Sequence, residues 1–324
     1  MGVIDNGFPY EELEAGVSAA DLIIICTPIQ RIVDLLPDIV SSASADALVT
    51  DVGSTKRTIA RVAASCARDD VYFLGGHPMA GSEKSGVTAA DPFLFENAYY
   101  ILVGDNGVAQ PQYDGFRDLV RSIGARVVEL AATAHDEVVA AISHLPQMMA
   151  TTLVEMIGRL DDEAEGTEGH FLPLAAGGFR DMTRIASSPF APVWEDICAS
   201  NGDQIKRMID TYIALLSDVR ERVGDRQLSD DFARANEVRN RIPRDMKGFI
   251  HPLFELLVVA EDKPGVIADI AVTLSREEIN INDIEIVKVR EGEGGTMRLG
   301  FDSSAAAARS LEVLNGMGYE ARRP

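Results

Sequence analysis

Short unbroken apolar runs recur along the first 130 residues, each closed by a polar or turn-forming residue: ADLIIICTP over 20–28, ALVT over 47–50, VYFL over 71–74, AYYILV over 98–103 and RVVEL over 126–130. A strand with one wet face alternates polar and apolar side chains, whereas an unbroken run marks a strand buried on both faces, as in a parallel sheet. Between these runs, residues 32–41, 55–67 and 113–122 carry apolar positions at helical spacing. Strands alternating with helices predict a doubly wound, Rossmann-like α/β domain over residues 1–130.

After Ala131 the period changes. Residues 134–160, 194–223 and 230–241 read as long helices with no strand signal between them, which predicts an all-helical domain over 131–247. Thr133 followed by Asp136 has the spacing of a capping box at the start of the first helix. Pro146 inside that helix predicts a kink that frees a carbonyl near Ile142. The acidic, glycine-containing stretch 161–169 reads as a solvated loop. From 248 to 324 the texture changes again: strand, turn and helix, strand, hairpin turn, strand, helix and a last short strand. That βαββαβ order predicts a ferredoxin-like domain.

Charge narrows the partners. The 324 residues hold 51 acids against 30 bases, a formal net charge of -21 that repels nucleic acid and anionic membranes. A small anionic substrate would therefore need a local concentration of Arg, Lys or His. The three cysteines, Cys26, Cys66 and Cys198, are far apart and form no C-x-x-C, which argues against a disulfide framework or thiolate zinc site and fits a reducing cytoplasm. No H-x-x-x-H or H-E-x-x-H occurs, so no metal is expected. No apolar run reaches membrane length and no basic leader precedes the first strand; a cytoplasmic chain is the expectation.

Candidate chemistry clusters at the ends of the strands. A strict G-x-G-x-x-G is absent, and the relaxed match at 316–321 follows a helix instead of opening one. The polar, Gly-rich segment 75–86 follows VYFL, at the carboxyl edge of a parallel sheet, where ligands bind. His77 there is placed to exchange protons near neutral pH. DVGSTK follows ALVT, and its Ser54 reads equally as a helix cap or as a site residue. His144, taken alone, reads as a helix histidine. Arg180 and Arg184 flank Asp181 in GFRDMTR, which reads equally as a carboxylate clamp or as a surface ion pair.

DVGSTK, GGHPMAGSEKSG, SHLP, GFRDMTRIASS and DKPGVIADI together closely resemble the prephenate (prephenate/arogenate) dehydrogenase family with a C-terminal ACT domain. The resemblance covers essentially the whole chain. It implies oxidative decarboxylation of prephenate, or of arogenate, in tyrosine biosynthesis, with hydride passing to NAD or NADP, in a homodimer joined through the helical domain. It implies that His77 accepts a hydrogen bond from the ring hydroxyl, that Ser54 orients His77 and touches the same hydroxyl, and that His144 is a second histidine contacting substrate. Arg184 would bind a substrate carboxylate, with Ser82, Glu83 and Asp181 around it. Thr27, Pro28 and Gly53 would form the later edge of the cofactor site. In the ACT domain, over 248–324, Gly265 and Val266 at a helix start and Asn280 and Asn282 before the next strand would receive an effector such as L-tyrosine. Members of this family open with a strand, a G-x-G-x-x-G turn, a helix and a second strand, so the resemblance implies an N-terminally truncated, incomplete Rossmann-like sheet lacking that first β-α-β unit. The competing reading is a catalytically impaired relic that senses an amino acid through its ACT domain. Having Ser54, His77, His144 and Arg184 together favours the enzyme.

Overall fold

The computed structural model describes residues 4–81, 90–104, 107–163, 171–224, 228–242, 253–261, 263–290 and 294–324. They form two compact units, residues 1–235 and 236–324.

The apolar runs of the first unit are strands β1 (Leu22–Ile25), β2 (Leu48–Asp51), β3 (Tyr72–Pro78), β4 (Tyr99–Val103) and β5 (Arg126–Glu129), adjacent in chain order within one sheet. β1, β2 and β3 run parallel, and β4 and β5 are parallel to each other. The β3–β4 pair is antiparallel, contrary to the wholly parallel layer expected from the runs. Parallel neighbours need a crossover, usually a helix. No helix lies among the described residues between β3 and β4, so the chain returns along the neighbouring strand. This pairing also lengthens β3 beyond VYFL: Gly75 to Pro78 pair with β4, and His77, expected in a loop, sits within the strand opposite Ile101.

Helices α1 (Leu13–Val17), α2 (Ile29–Ser42), α3 (Arg57–Ser65) and α4 (Gln110–Ser122) belong to this layer. On α2 the residues Ile29, Ile32, Leu36 and Ile39 form one buried stripe, while Pro37 falls on the exposed side, where losing one internal hydrogen bond is tolerated. The helical region supplies α5 (Ala132–Val139), a π-turn (Ala140–His144), α6 (Leu145–Glu163), α7 (Gly177–Thr183), a 3-10 turn (Arg184–Ser187), α8 (Glu195–Arg222) and α9 (Ser229–Arg241). Ile197 and Ile205 of α8 enter the same core as Ile32, Val49 and Ile59, so the helices and the sheet share one hydrophobic interior. The kink expected at Pro146 takes the form of the π-turn that ends two residues before it, since a wider turn frees the carbonyl that the proline ring would strike. The capping box does not form: α5 is preceded by Ala131 with no side-chain cap, and Asp136 turns toward α3.

The second unit follows the expected order: β6 (Phe254–Ala260), α10 (Val266–Arg276), β7 (Asp283–Arg290), β8 (Gly294–Phe301), α11 (Ser304–Gly316) and β9 (Glu320–Arg322), with sheet order β7-β8-β6-β9 and every pair antiparallel. Leu256, Val258, Leu299 and Phe301 bury one sheet face against Ile270, Leu274 and Leu314 of the helices. Ser303 caps α11 by accepting from the Ala306 amide at 3.2 Å. Among the described residues, no helix is long and apolar enough to cross a membrane.

Candidate active site

Asp51, the last residue of β2, is fully buried and ties three segments together. Its Oδ2 accepts from the Gly53 amide at 2.8 Å and from Lys56 Nζ, and its Oδ1 accepts from the Gly76 amide at 3.3 Å. Position 76 requires glycine, because a Cβ there would lie 2.6 Å from the Asp51 carbonyl oxygen. The loop after β2 and the strand carrying His77 are thus pinned to one carboxylate. Lys56 is 1% exposed, and burial lowers its ammonium pKa while Asp51 opposes the shift.

The start of α3 has no cap of its own. Instead Asp136, from α5, accepts from the Lys56 amide at 2.7 Å and from the Arg57 amide at 3.0 Å, an anion at a helix N-terminus supplied by another element. Arg57 Nε also donates to Asp136, at 3.2 Å, and its Nη1 reaches Asp203 of α8 at 2.8 Å. The Asp136 carboxylate then orders a chain of imidazoles. His135 Nδ1 lies 2.8 Å from Asp136 Oδ1, and His135 Nε2 lies 2.7 Å from His77 Nδ1. Since the carboxylate only accepts, His135 carries its proton on Nδ1, its Nε2 accepts from His77 Nδ1–H, and His77 Nε2 is left bare. All three side chains are buried.

His144 ends the π-turn, 2% exposed, with its ring perpendicular to Trp194 at 5.9 Å between centroids. Its Nδ1 lies 3.3 Å from Asn201 Nδ2, and Asn201 also donates to the Asp136 carbonyl at 2.8 Å. Gln147, one turn beyond His144, donates at 3.1 Å to the carbonyl of Ile185, which fixes the turn that begins with Arg184. Arg180, Asp181 and Arg184 are exposed on α7 and that turn.

The sequence-derived site is therefore brought together in part. His77 and His144 sit close enough for one ring's charge to act on the other. Ser54 is a correction: it caps no helix and makes no hydrogen bond to His77, whose orienting partner is His135. Ser82 and Glu83 lie outside the described residues. Thr27 follows β1, and its hydroxyl is buried with no partner among the described residues, while Pro28 opens α2 and Gly53 follows β2. In the second unit, Gly265 precedes α10 at φ +94° and Val266 lines a cleft of about 810 Å³ with Glu261, Lys263, Asp269 and Tyr319. Asn280 and Asn282 are not among that cleft's lining residues; Asn282 Oδ1 is buried with no partner among the described residues. Sequence reasoning missed His135, Asp136, Lys56, Arg57 and Asn201. The His135-Asp136 dipeptide just after the last strand of the sheet was the available signal.

Residues 1–129 match the family Prephenate dehydrogenase, nucleotide-binding domain; residues 131–236 match Prephenate dehydrogenase, dimerization domain; and residues 254–305 match the ACT domain. The prephenate dehydrogenase of Bacillus subtilis (strain 168) is 37% identical over 318 residues, 97% of this chain and 84% of that protein. The chain belongs to the prephenate dehydrogenase family. Among solved structures of this family, prephenate dehydrogenase from A. aeolicus, in complex with hydroxyphenyl propionate and NAD+, is similar at a TM-score of 0.66 and 26% identity, covering 75% of this chain and 83% of that one. Synechocystis arogenate dehydrogenase is similar at a TM-score of 0.61 and 28% identity, covering 71% of this chain and 82% of that one.

In this prephenate dehydrogenase family member both histidines are held neutral. Burial pushes His77 well below the ordinary imidazole value, reinforced by the charges of His135, Lys56 and His144 and opposed by Asp136. The reading of His77 as a group that titrates near neutral pH is corrected accordingly. Burial pushes His144 down to about 4, with Asp136 opposing and His135 reinforcing. An unfolded chain takes up these protons near pH 6.5, so the native state loses stability as pH falls from about 6.5 toward 4. For His144 alone the loss is about 3 kcal/mol. Urea unfolding at pH 7.5 and at pH 4.5 checks this: His144→Gln is expected to flatten the slope, and an unchanged slope would contradict it.

Proposed function

We propose that the protein catalyses the oxidative decarboxylation of prephenate to 4-hydroxyphenylpyruvate, with hydride passing to NAD+ or NADP+. The observation that carries this reading is the bare Nε2 of His77, set by the His135–Asp136 pair in a chain of this family. His77 Nε2 accepts a hydrogen bond from the hydroxyl on the ring carbon that loses hydride, which stabilises the carbonyl forming there. The electrons of the bond to the departing CO2 then enter the ring, which becomes aromatic, and the oxygen ends as a phenol. Aromatisation drives that step, so the chain's residues need only bind, align and polarise.

Nicotinamide, when bound, supplies the hydride acceptor. The residues present fit it: the unpartnered Thr27 hydroxyl lies at the carboxyl end of β1, beside Pro28, where a sheet of this kind receives a nucleotide. Gly53 follows the neighbouring strand β2, held by Asp51. Arg184 would grip a carboxylate of the substrate dianion in two parallel hydrogen bonds. We further read the protein as a cytoplasmic homodimer. The exposed Ile213, Leu215 and Leu216 on α8 and Met156 and Leu160 on α6 support an interface between helical regions. Gly265 at the start of α10 and the cleft lined by Val266 support binding of an aromatic amino acid such as L-tyrosine, with Asn280 and Asn282 outside that lining.

The test follows the absorbance of reduced nicotinamide with prephenate or arogenate and NAD+ or NADP+. Turnover of prephenate is expected. Arg184→Lys keeps the charge but loses the planar fork, and should raise KM by about tenfold or more with the fold intact. No turnover in any combination, together with heat on titrating L-tyrosine, would favour the amino-acid-sensing alternative.

A further inference from the structure

Asn201 is fully buried and is the one residue of α8 that leaves helical geometry, at φ -126° and ψ 19°. A helix bends there at a cost, so the side chain's partners are informative. An asparagine amide has an accepting end and a donating end, and here each end faces a partner that works in one direction only. Arg57 Nη2 can only donate and lies 3.0 Å from Asn201 Oδ1. The Asp136 carbonyl can only accept and lies 2.8 Å from Asn201 Nδ2. The two constraints are independent and agree, so the amide orientation is determined.

The same Nδ2 lies 3.3 Å from His144 Nδ1. An amide NH2 cannot accept, so His144 Nδ1 must be unprotonated and the single proton of the neutral ring must sit on Nε2. No described residue partners that Nε2. Trp194, perpendicular to the ring, holds its plane. His77 is the mirror case, with its proton on Nδ1 and its Nε2 bare.

We propose that Asn201 is a positioning residue that locks His144 in its Nε2–H tautomer, making it a fixed hydrogen-bond donor to an oxygen of the substrate, opposite in sense to the acceptor His77. The tautomer rests on geometry alone; assigning the oxygen to the substrate rests on the function proposed above. Asn201 thereby couples three elements, since the carbonyl it holds belongs to Asp136 and the guanidinium it receives to Arg57.

Long-range 1H–15N NMR of the full chain labelled at histidine reads the tautomers directly, with the His144 signals assigned by their loss in His144→Gln. The expected result is Nε2–H for His144 and Nδ1–H for His77. Asn201→Asp places an accepting carboxylate against Nδ1, so His144 should switch to Nδ1–H, and KM for prephenate should rise by about tenfold or more with a smaller change in kcat. A wild-type spectrum with the proton on His144 Nδ1 overturns the proposal, and needs no variant to fold. An Asn201→Asp protein that folds and keeps the wild-type tautomer and KM also overturns it. Nε2–H on His144 in a protein that does not turn over prephenate would support the role of Asn201 and count against the function.

Discussion

Asp136→Asn is expected to lower kcat by about a thousandfold to ten-thousandfold, the scale of loss when a catalytic histidine is forced into the wrong tautomer. The carboxylate accepts hydrogen bonds from four groups: the Lys56 and Arg57 amides, Arg57 Nε and His135 Nδ1. An amide has only one accepting oxygen, so its NH2 must face former donors. Arg57 cannot stop donating, whereas His135 can move its proton. The NH2 therefore settles toward His135 Nδ1, His135 shifts its proton to Nε2, and that N–H faces His77 Nδ1. His77 answers by carrying its own proton on Nε2, and the acceptor for the substrate hydroxyl is gone. The cap on α3 also weakens, by about 1–3 kcal/mol for an unsatisfied buried amide. Steady-state kinetics with circular dichroism separates the effects: folded protein with kcat within tenfold of wild type would rule out the tautomer chain.

The second large effect is on stability. Lys56→Met leaves Asp51 as a fully buried carboxylate without its cation, and unpaired buried charges of this kind cost about 3–5 kcal/mol. Methionine is close to the lysine stem in volume, so packing changes little. Equilibrium urea unfolding should show the loss as a lower midpoint. The double variant Asp51→Asn/Lys56→Met is expected to regain part of it, because no charge is then left alone. It should not regain all, since the Gly53 and Gly76 amides approach opposite oxygens of Asp51 and an amide can serve only one of them. A double variant no more stable than the single would assign the loss to packing.

Much of the architecture is legible in local pattern. ADLIIIC and ALVT are unbroken apolar runs and β1 and β2 appear within them; β2 is buried throughout, as a strand covered on both faces should be, whereas β1 is the edge strand of the sheet and leaves Ile24 exposed. The switch at Ala131 to helical spacing, and the βαββαβ order of the last domain, follow from the periods of the two element types. His77 and His144 were findable because a motif carried them. The direction of β4 was not, since YYILV reads the same way in a parallel or an antiparallel neighbour.

The strand runs of the first sheet, the change to helices, the βαββαβ order and the family resemblance are all properties of residues near one another in the chain, and so could be read from it; that β3 extends through His77 could not. The protonation pattern of His77 and His144 depends on contacts between segments far apart in the chain. His77, Lys56 and His144 stand 58, 80 and 57 positions from His135, Asp136 and Asn201, the partners that orient them, and a hydrogen bond depends on distance in space. A histidine's two nitrogens are equivalent candidates until a one-way partner touches one of them. For His77 that constraint comes from Asp136 through His135, and for His144 from Asn201; neither reaches its ring until the sheet and α8 share a core.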